Sequence, residues 1–139
     1  MEKIVTKKVI LNPKYEPLYK LGTRYCVITG GRGSAKSFSV SVYLLLKTFE
    51  EGKTILFTRL TMTSAEISII PEFWEKVELM GMEGMFHKTQ NSIENLQTGS
   101  KILFRGLKSS SGNNTANLKS INNITIWVLD EAEEMIDET

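Results

Sequence analysis

Cysteine occurs once in the 139 residues, at Cys26, so no internal disulfide can form and the fold cannot rely on cross-links. A lone thiol in an apolar run suits a reducing compartment, and a cytoplasmic setting is expected. Apolar runs are short, and none approaches the roughly 18 residues that a membrane-spanning helix needs. The opening MEKIVTKKVI carries lysines but neither the continuous apolar segment nor the cleavage pattern of a secretory leader. An excess of charge is also missing. Seventeen basic side chains against sixteen acidic ones leave +1, so any contact with a polyanion must come from a local patch. Histidine occurs once, as His87 in MEGMFHKTQ, with no cysteine or second histidine at ligand spacing, which argues against a metal site there. Internal repeats are absent, and the one low-complexity piece is KSSSGNN at 108–114.

What remains is the composition of a soluble globular chain, long enough for one domain with a core and too short for two of ordinary size. Residues 1–23 hold two prolines and several turn formers, and read as a lead-in rather than a core element. RYCVIT (24–29) is a β-prone run that stops at two glycines, as a buried strand would. From Lys36 onward, Phe38, Val42, Leu45 and Phe49 recur at helical spacing, with Gly52 where a helix C-terminus wants it. KTILFTR (53–59) reads as a second buried strand, completing a strand–loop–helix–strand unit. Thr63 and Glu66 have capping-box spacing, which predicts a helix from about 64 that Pro71 ends or restarts. PEFWEKVELM then places Phe73, Trp74 and Val77 on one helical face. Residues 92–106 read as a β-hairpin turning at Gly99, residues 107–120 as a polar loop, and NITIWVLDEAEEM (123–135) as an apolar strand running into acids.

The loop between the first strand and the helix is GGRGSAKS, residues 30–37. Its spacing is that of a phosphate-binding loop, G-x-x-x-x-G-K followed by Ser or Thr, whose backbone N–H groups wrap a phosphate at a helix N-terminus. Gly30 stands as the first glycine, Lys36 as the lysine that reaches the terminal phosphates, and Ser37 as the hydroxyl that ligates magnesium. Gly31 and Gly33 leave the loop conformational freedom. Ala35 replaces the last glycine, tolerable if that residue already has helical torsions and no phosphate oxygen approaches its Cβ. The alternative is a plain turn between strand and helix. ITIWVLDE (124–131) supplies the second element, an apolar strand ending in Asp130 and Glu131. In P-loop ATPases that arrangement holds magnesium with the aspartate while the glutamate polarises the attacking water. Standing alone, it reads equally as a strand followed by an acidic helix start. Together the two elements predict groups that converge on one magnesium-bound triphosphate.

YEPLY (15–19), RYCVITGGRGSAKS (24–37), FTR (57–59), KS (119–120) and IWVLDEAEEM (126–135), taken in order, resemble the large terminase subunit of tailed bacteriophages. The resemblance implies an α/β fold of the ASCE-type P-loop NTPase class. Its sheet would be mostly parallel and flanked by helices, with an inserted β-hairpin. Residues 1–23 would be the lead-in and 24–139 a partial ATPase domain, with the nuclease domain of such proteins absent, as in an N-terminal fragment or a naturally short product. It further implies a motor driven by ATP and Mg2+ that moves double-stranded DNA into procapsids. The implied setting is the cytoplasm of the infected bacterial host, in a homo-oligomeric ring with the small terminase subunit and the portal protein as partners, and no membrane. By the same resemblance Gly30, Gly31, Arg32, Gly33, Ser34, Ala35, Lys36 and Ser37 bind the ATP phosphates. Ser37 and Asp130 hold magnesium, and Glu131 orients the water. Arg32 and Arg59 are the two candidates for sensing the terminal phosphate or stabilising transition-state charge.

Two other readings stay open on the residues. DEAE resembles the box of a superfamily-2 DExD/H helicase, although such proteins usually end the loop in Gly-Lys-Thr. A non-catalytic nucleotide-binding or recognition module is the third. Tyr15 or Tyr19 could stack on adenine or simply pack the lead-in, and Met80, Met82 and Met85 read as flexible core filler. Lys101, Arg105, Lys108 and Lys119 are candidates for DNA phosphate contact or plain solvated surface.

Overall fold

Four consecutive buried positions, Ile55, Leu56, Phe57 and Thr58, mark the second apolar run as a strand covered on both faces. In the computed structural model, which describes residues 10–20, 22–61, 69–108 and 121–132, this strand is β1 (Thr54–Thr61). It follows helix α1 (Lys36–Lys47) and precedes helix α2 (Ile70–Leu79). Then come β2 (Phe86–Lys88), β3 (Ser92–Asn95), β4 (Lys101–Lys108) and β5 (Ile126–Leu129). The sheet order is β2-β3-β4-β1-β5. β1 lies parallel to β4 from Thr54↔Lys101 to Thr61↔Lys108, and parallel to β5 from Ile55↔Ile126 to Thr58↔Leu129. β3 runs antiparallel to β4, and β2 antiparallel to β3. The fold is therefore mixed α/β, with a parallel half and an antiparallel hairpin half.

Both helices bury apolar faces in one cluster. Leu44 and Leu45 of α1, and Ile70, Phe73 and Val77 of α2, join Ile55, Phe57, Ile93, Ile102 and Phe104 of the sheet. Phe57, Phe73 and Phe104 form the aromatic centre, with ring centroids 5.1–5.6 Å apart. Pro71 lies in the first turn of α2, where its missing N–H interrupts no helical bond. Met80 and Met82 pack against this cluster, as filler should, whereas Met85 is exposed.

The C-terminus of α1 is tied to the β3–β4 turn by a buried polar network. The fully buried Asn95 donates through Nδ2 to Thr48 Oγ1 at 3.3 Å, and its Oδ1 accepts from the backbone N–H of Gln97 and Thr98. Thr98 Oγ1 donates to the Thr48 carbonyl, and Ser100 Oγ to the Glu50 carbonyl, each at 2.5 Å. These bonds pin the end of α1 to the edge where β1 and β4 begin.

Several expectations need correction. Residues 24–29 form no strand: Tyr25 is 79% and Val27 87% exposed, and the segment joins no ladder of the five-stranded sheet. An apolar run becomes a buried strand only if an edge offers partners for its N–H and C=O groups. Cys26 is exposed for the same reason. The lead-in is a core element in part, because Pro13–Lys20 forms a 3-10 helix that buries Tyr15 and Leu18. Helix α1 ends at Lys47, and Gly52 (φ 73°) serves the turn that follows. β4 continues through Lys108, where a loop was expected. The helix start at Thr63 and Glu66, the loop residues 109–120 with Lys119 and the KS pair, and the acids after 132 lie outside the described residues.

Candidate functional site

Glycine suits two places in the loop before α1, for different reasons. A Cβ on Gly30 would lie 2.7 Å from Ser34 Oγ and 3.1 Å from Ser34 Cβ, so a side chain there would force Ser34 to shift. Gly33 has φ 80°, in the left-handed region. The Ser34 N–H then donates to the Gly31 carbonyl at 3.3 Å, and Lys36 Nζ donates to the Gly30 carbonyl at 3.3 Å. From the 3-10 helix, the Tyr15 hydroxyl donates to the Ser34 carbonyl at 2.6 Å, bracing the loop from outside. Ala35 does not have the right-handed torsions expected of it. Its φ of 60° and ψ of 20° are left-handed, the conformation that glycine takes most readily, at a cost of about 1–2 kcal/mol for an L-residue. No side chain caps the N-terminus of α1, which leaves its first amides directed at the loop. Gly31, Arg32 and Ser37 are exposed.

Beside this loop Tyr15, Glu16 and Tyr19 line a cavity of about 280 Å³ together with Ser39 of α1. Tyr15 is thus a packing and bracing residue, and Tyr19 meets Tyr43 edge-on with ring centroids 5.3 Å apart. Burial, and then the neighbouring Tyr43, push the Tyr19 phenol above its ordinary range.

The acids are positioned by β1. The Asp130 N–H donates to the Thr58 carbonyl at 2.9 Å, extending the β1–β5 ladder by one bond. The next residue of β1 takes the side chain: Arg59 Nε donates to Asp130 Oδ2 at 2.6 Å. The same guanidinium lies 3.4 Å from Glu131 Oε1 through a terminal nitrogen. Glu131 has φ 51°, a left-handed torsion that turns the chain directly after the strand. Asp130, Glu131 and Arg59 are therefore brought together at the C-terminal end of β5. Lys36 and Ser37 are in no hydrogen-bond or ion-pair contact with Asp130 among the described residues, and Lys36 is turned back onto Gly30.

The donor set is hard: carboxylates and a serine hydroxyl suit magnesium rather than a soft metal. Among the described residues no group of three or more His, Cys, Asp or Glu could hold a metal by itself. Magnesium uses one or two carboxylates and completes its shell with water and substrate oxygens. The Arg59 guanidinium shows that this acid pair accommodates a cation.

Arg105 donates to the carbonyls of Asn91 and Phe104 at 3.2 and 2.9 Å, and burial lowers its pKa. His87 is exposed and lies opposite Glu94 in the β2–β3 ladder. Sequence reasoning missed one residue that builds the site, Thr58, whose hydroxyl partner Val128 lies 70 positions away, beyond the reach of any local pattern.

A family described as phage terminase large subunit matches residues 23–139. The PBSX phage terminase large subunit of Bacillus subtilis (strain 168) is 28% identical over 127 residues. That match covers 90% of this chain and 28% of the relative, so the chain spans less than a third of the curated protein it resembles. No helix among the described residues is long and apolar enough to cross a membrane.

Proposed function

The chain belongs to the phage terminase large subunit family, and from that premise we propose that it carries the nucleotide-handling part of a P-loop ATPase that packages viral DNA. The observation that carries the reading is the emergence of Asp130 and Glu131 from the end of a parallel strand. α1 begins directly after the loop, with no side-chain cap on its first amides. In this proposal residues 24–139 form the ATPase portion behind a lead-in of residues 1–23. The family match over residues 23–139 supports this reading over the helicase and the non-catalytic module.

The loop from Gly30 to Ser37 would bind the ATP phosphates through its backbone amides and the α1 N-terminus. Lys36 would exchange the Gly30 carbonyl for the terminal phosphates. Ser37 and Asp130 would hold Mg2+, which when bound neutralises phosphate charge. Glu131 would accept a hydrogen bond from the attacking water and orient it. Either Arg32 or Arg59 would sense the terminal phosphate or stabilise charge spread over the transferred group. The larger protein would act on double-stranded DNA as a ring, with a small terminase subunit and a portal as partners, in the infected host's cytoplasm.

The test is made in the full-length protein. Glu131→Gln should leave ATP binding near its original level and lower hydrolysis by about two to four orders of magnitude. Lys36→Ala should lose binding and turnover together. Near-normal turnover in Glu131→Gln would remove Glu131 from its assigned role.

A further inference from the structure

A guanidinium that bridges two adjacent carboxylates does to them electrically what a metal would do. Arg59 is only 17% exposed, stands at the end of β1, and reaches Asp130 at 2.6 Å and Glu131 at 3.4 Å. The bond from the Asp130 N–H to the Thr58 carbonyl holds Asp130 at that reach, so the pairing is built into the β1–β5 register. A magnesium ion bound by Asp130 would sit about 2 Å from its oxygen. A divalent cation held by Asp130 would therefore share the carboxylate with the guanidinium, and two positive charges on one partly buried carboxylate repel.

Resting on the proposed assignment of Asp130 to the metal, we propose that Arg59 is a resident counter-cation. It offsets one of the two negative charges of the acid pair in the nucleotide-free protein and disfavours divalent metal until nucleotide phosphates arrive to take up the guanidinium. Metal entry is thereby made dependent on nucleotide. Arg59 is a positioning residue in this state, acting through Asp130 and Glu131. The pairing goes beyond a transition-state role for Arg59, because it acts when nothing is bound.

The experiment is a Mn2+ titration of the full chain, read by electron paramagnetic resonance, without nucleotide and with ADP. Arg59→Gln should bind Mn2+ without nucleotide about tenfold more tightly than the unaltered chain, the scale on which one neighbouring charge acts. Arg59→Lys, which keeps the charge and loses the two-pronged fork, should fall between them. Adding Asp130→Asn to Arg59→Gln should abolish the gain. Mn2+ should also raise the melting temperature of Arg59→Gln and Arg59→Lys more than that of the unaltered chain, a readout independent of turnover. Unchanged or weaker nucleotide-free affinity in both Arg59 variants overturns the counter-cation role. If Asp130→Asn alone still abolishes uptake with ADP, that failure leaves the metal assignment standing. If Asp130→Asn binds Mn2+ normally with ADP, the assignment itself fails and the counter-cation role fails with it.

Discussion

The indole N–H of Trp127 donates to the hydroxyl of Thr58 at 3.1 Å, and that hydroxyl donates in turn to the Val128 carbonyl at 2.7 Å. Thr58 is fully buried, so one side chain of β1 satisfies two groups of β5 immediately before Asp130. Thr58→Val keeps shape and β propensity but leaves the indole donor without this acceptor. We expect a loss of about 1–3 kcal/mol in urea unfolding. Backbone amides of β5 should exchange faster than those of β4. A stability change below about 0.5 kcal/mol would mean that water replaces both bonds without penalty.

Asn95 serves the opposite end of the sheet. Its amide makes three bonds at a site with no solvent access, to Thr48, Gln97 and Thr98. Asn95→Ala leaves two backbone N–H groups, of Gln97 and Thr98, in need of an acceptor, and should cost about 2–4 kcal/mol by denaturant titration. Asn95→Asp retains the acceptor for the turn and loses the donor to Thr48. It should also be destabilised, increasingly so as pH rises through the carboxylate range and the buried group ionises.

Ala35 and Gly33 predict opposite signs. Both have positive φ, but only one is glycine. Ala35→Gly relieves a left-handed alanine and should stabilise the chain by up to about 1 kcal/mol, less the extra entropy of glycine in the unfolded state. Gly33→Ala should cost about 1 kcal/mol or more, with open space at its Cβ leaving torsional strain as the sole cause. Equal effects of the two changes, in either direction, would show that the loop readily adopts other torsions.

Much of the architecture was legible in the sequence. β1, α2 and the hairpin announce themselves through an apolar run, a proline in a first turn and a glycine at a bend. These signals act within a few residues. The segment 24–29 carries the same local signal as β1 and has a different fate, because a strand is completed by its neighbours and no window of sequence contains them. For the candidate site, the loop and the acid pair were each visible as patterns. The ion pair between Arg59 and Asp130 was not, since it depends on a parallel register between segments 71 positions apart. Nor does a sequence show that Ala35 has left-handed torsions.

β5 is four residues long and closes against β1 across more than sixty intervening positions, while β4 pairs with β1 along eight. Closing the longer span costs more entropy and returns fewer ladder bonds. β5 should therefore be the last strand to dock during folding and the first to detach when the molecule opens locally. A chain caught in that half-open form keeps its aromatic centre but has lost the carboxylates from their place beside Arg59. Whatever grips the outer edge of β5 consequently governs how often the acids are assembled at all.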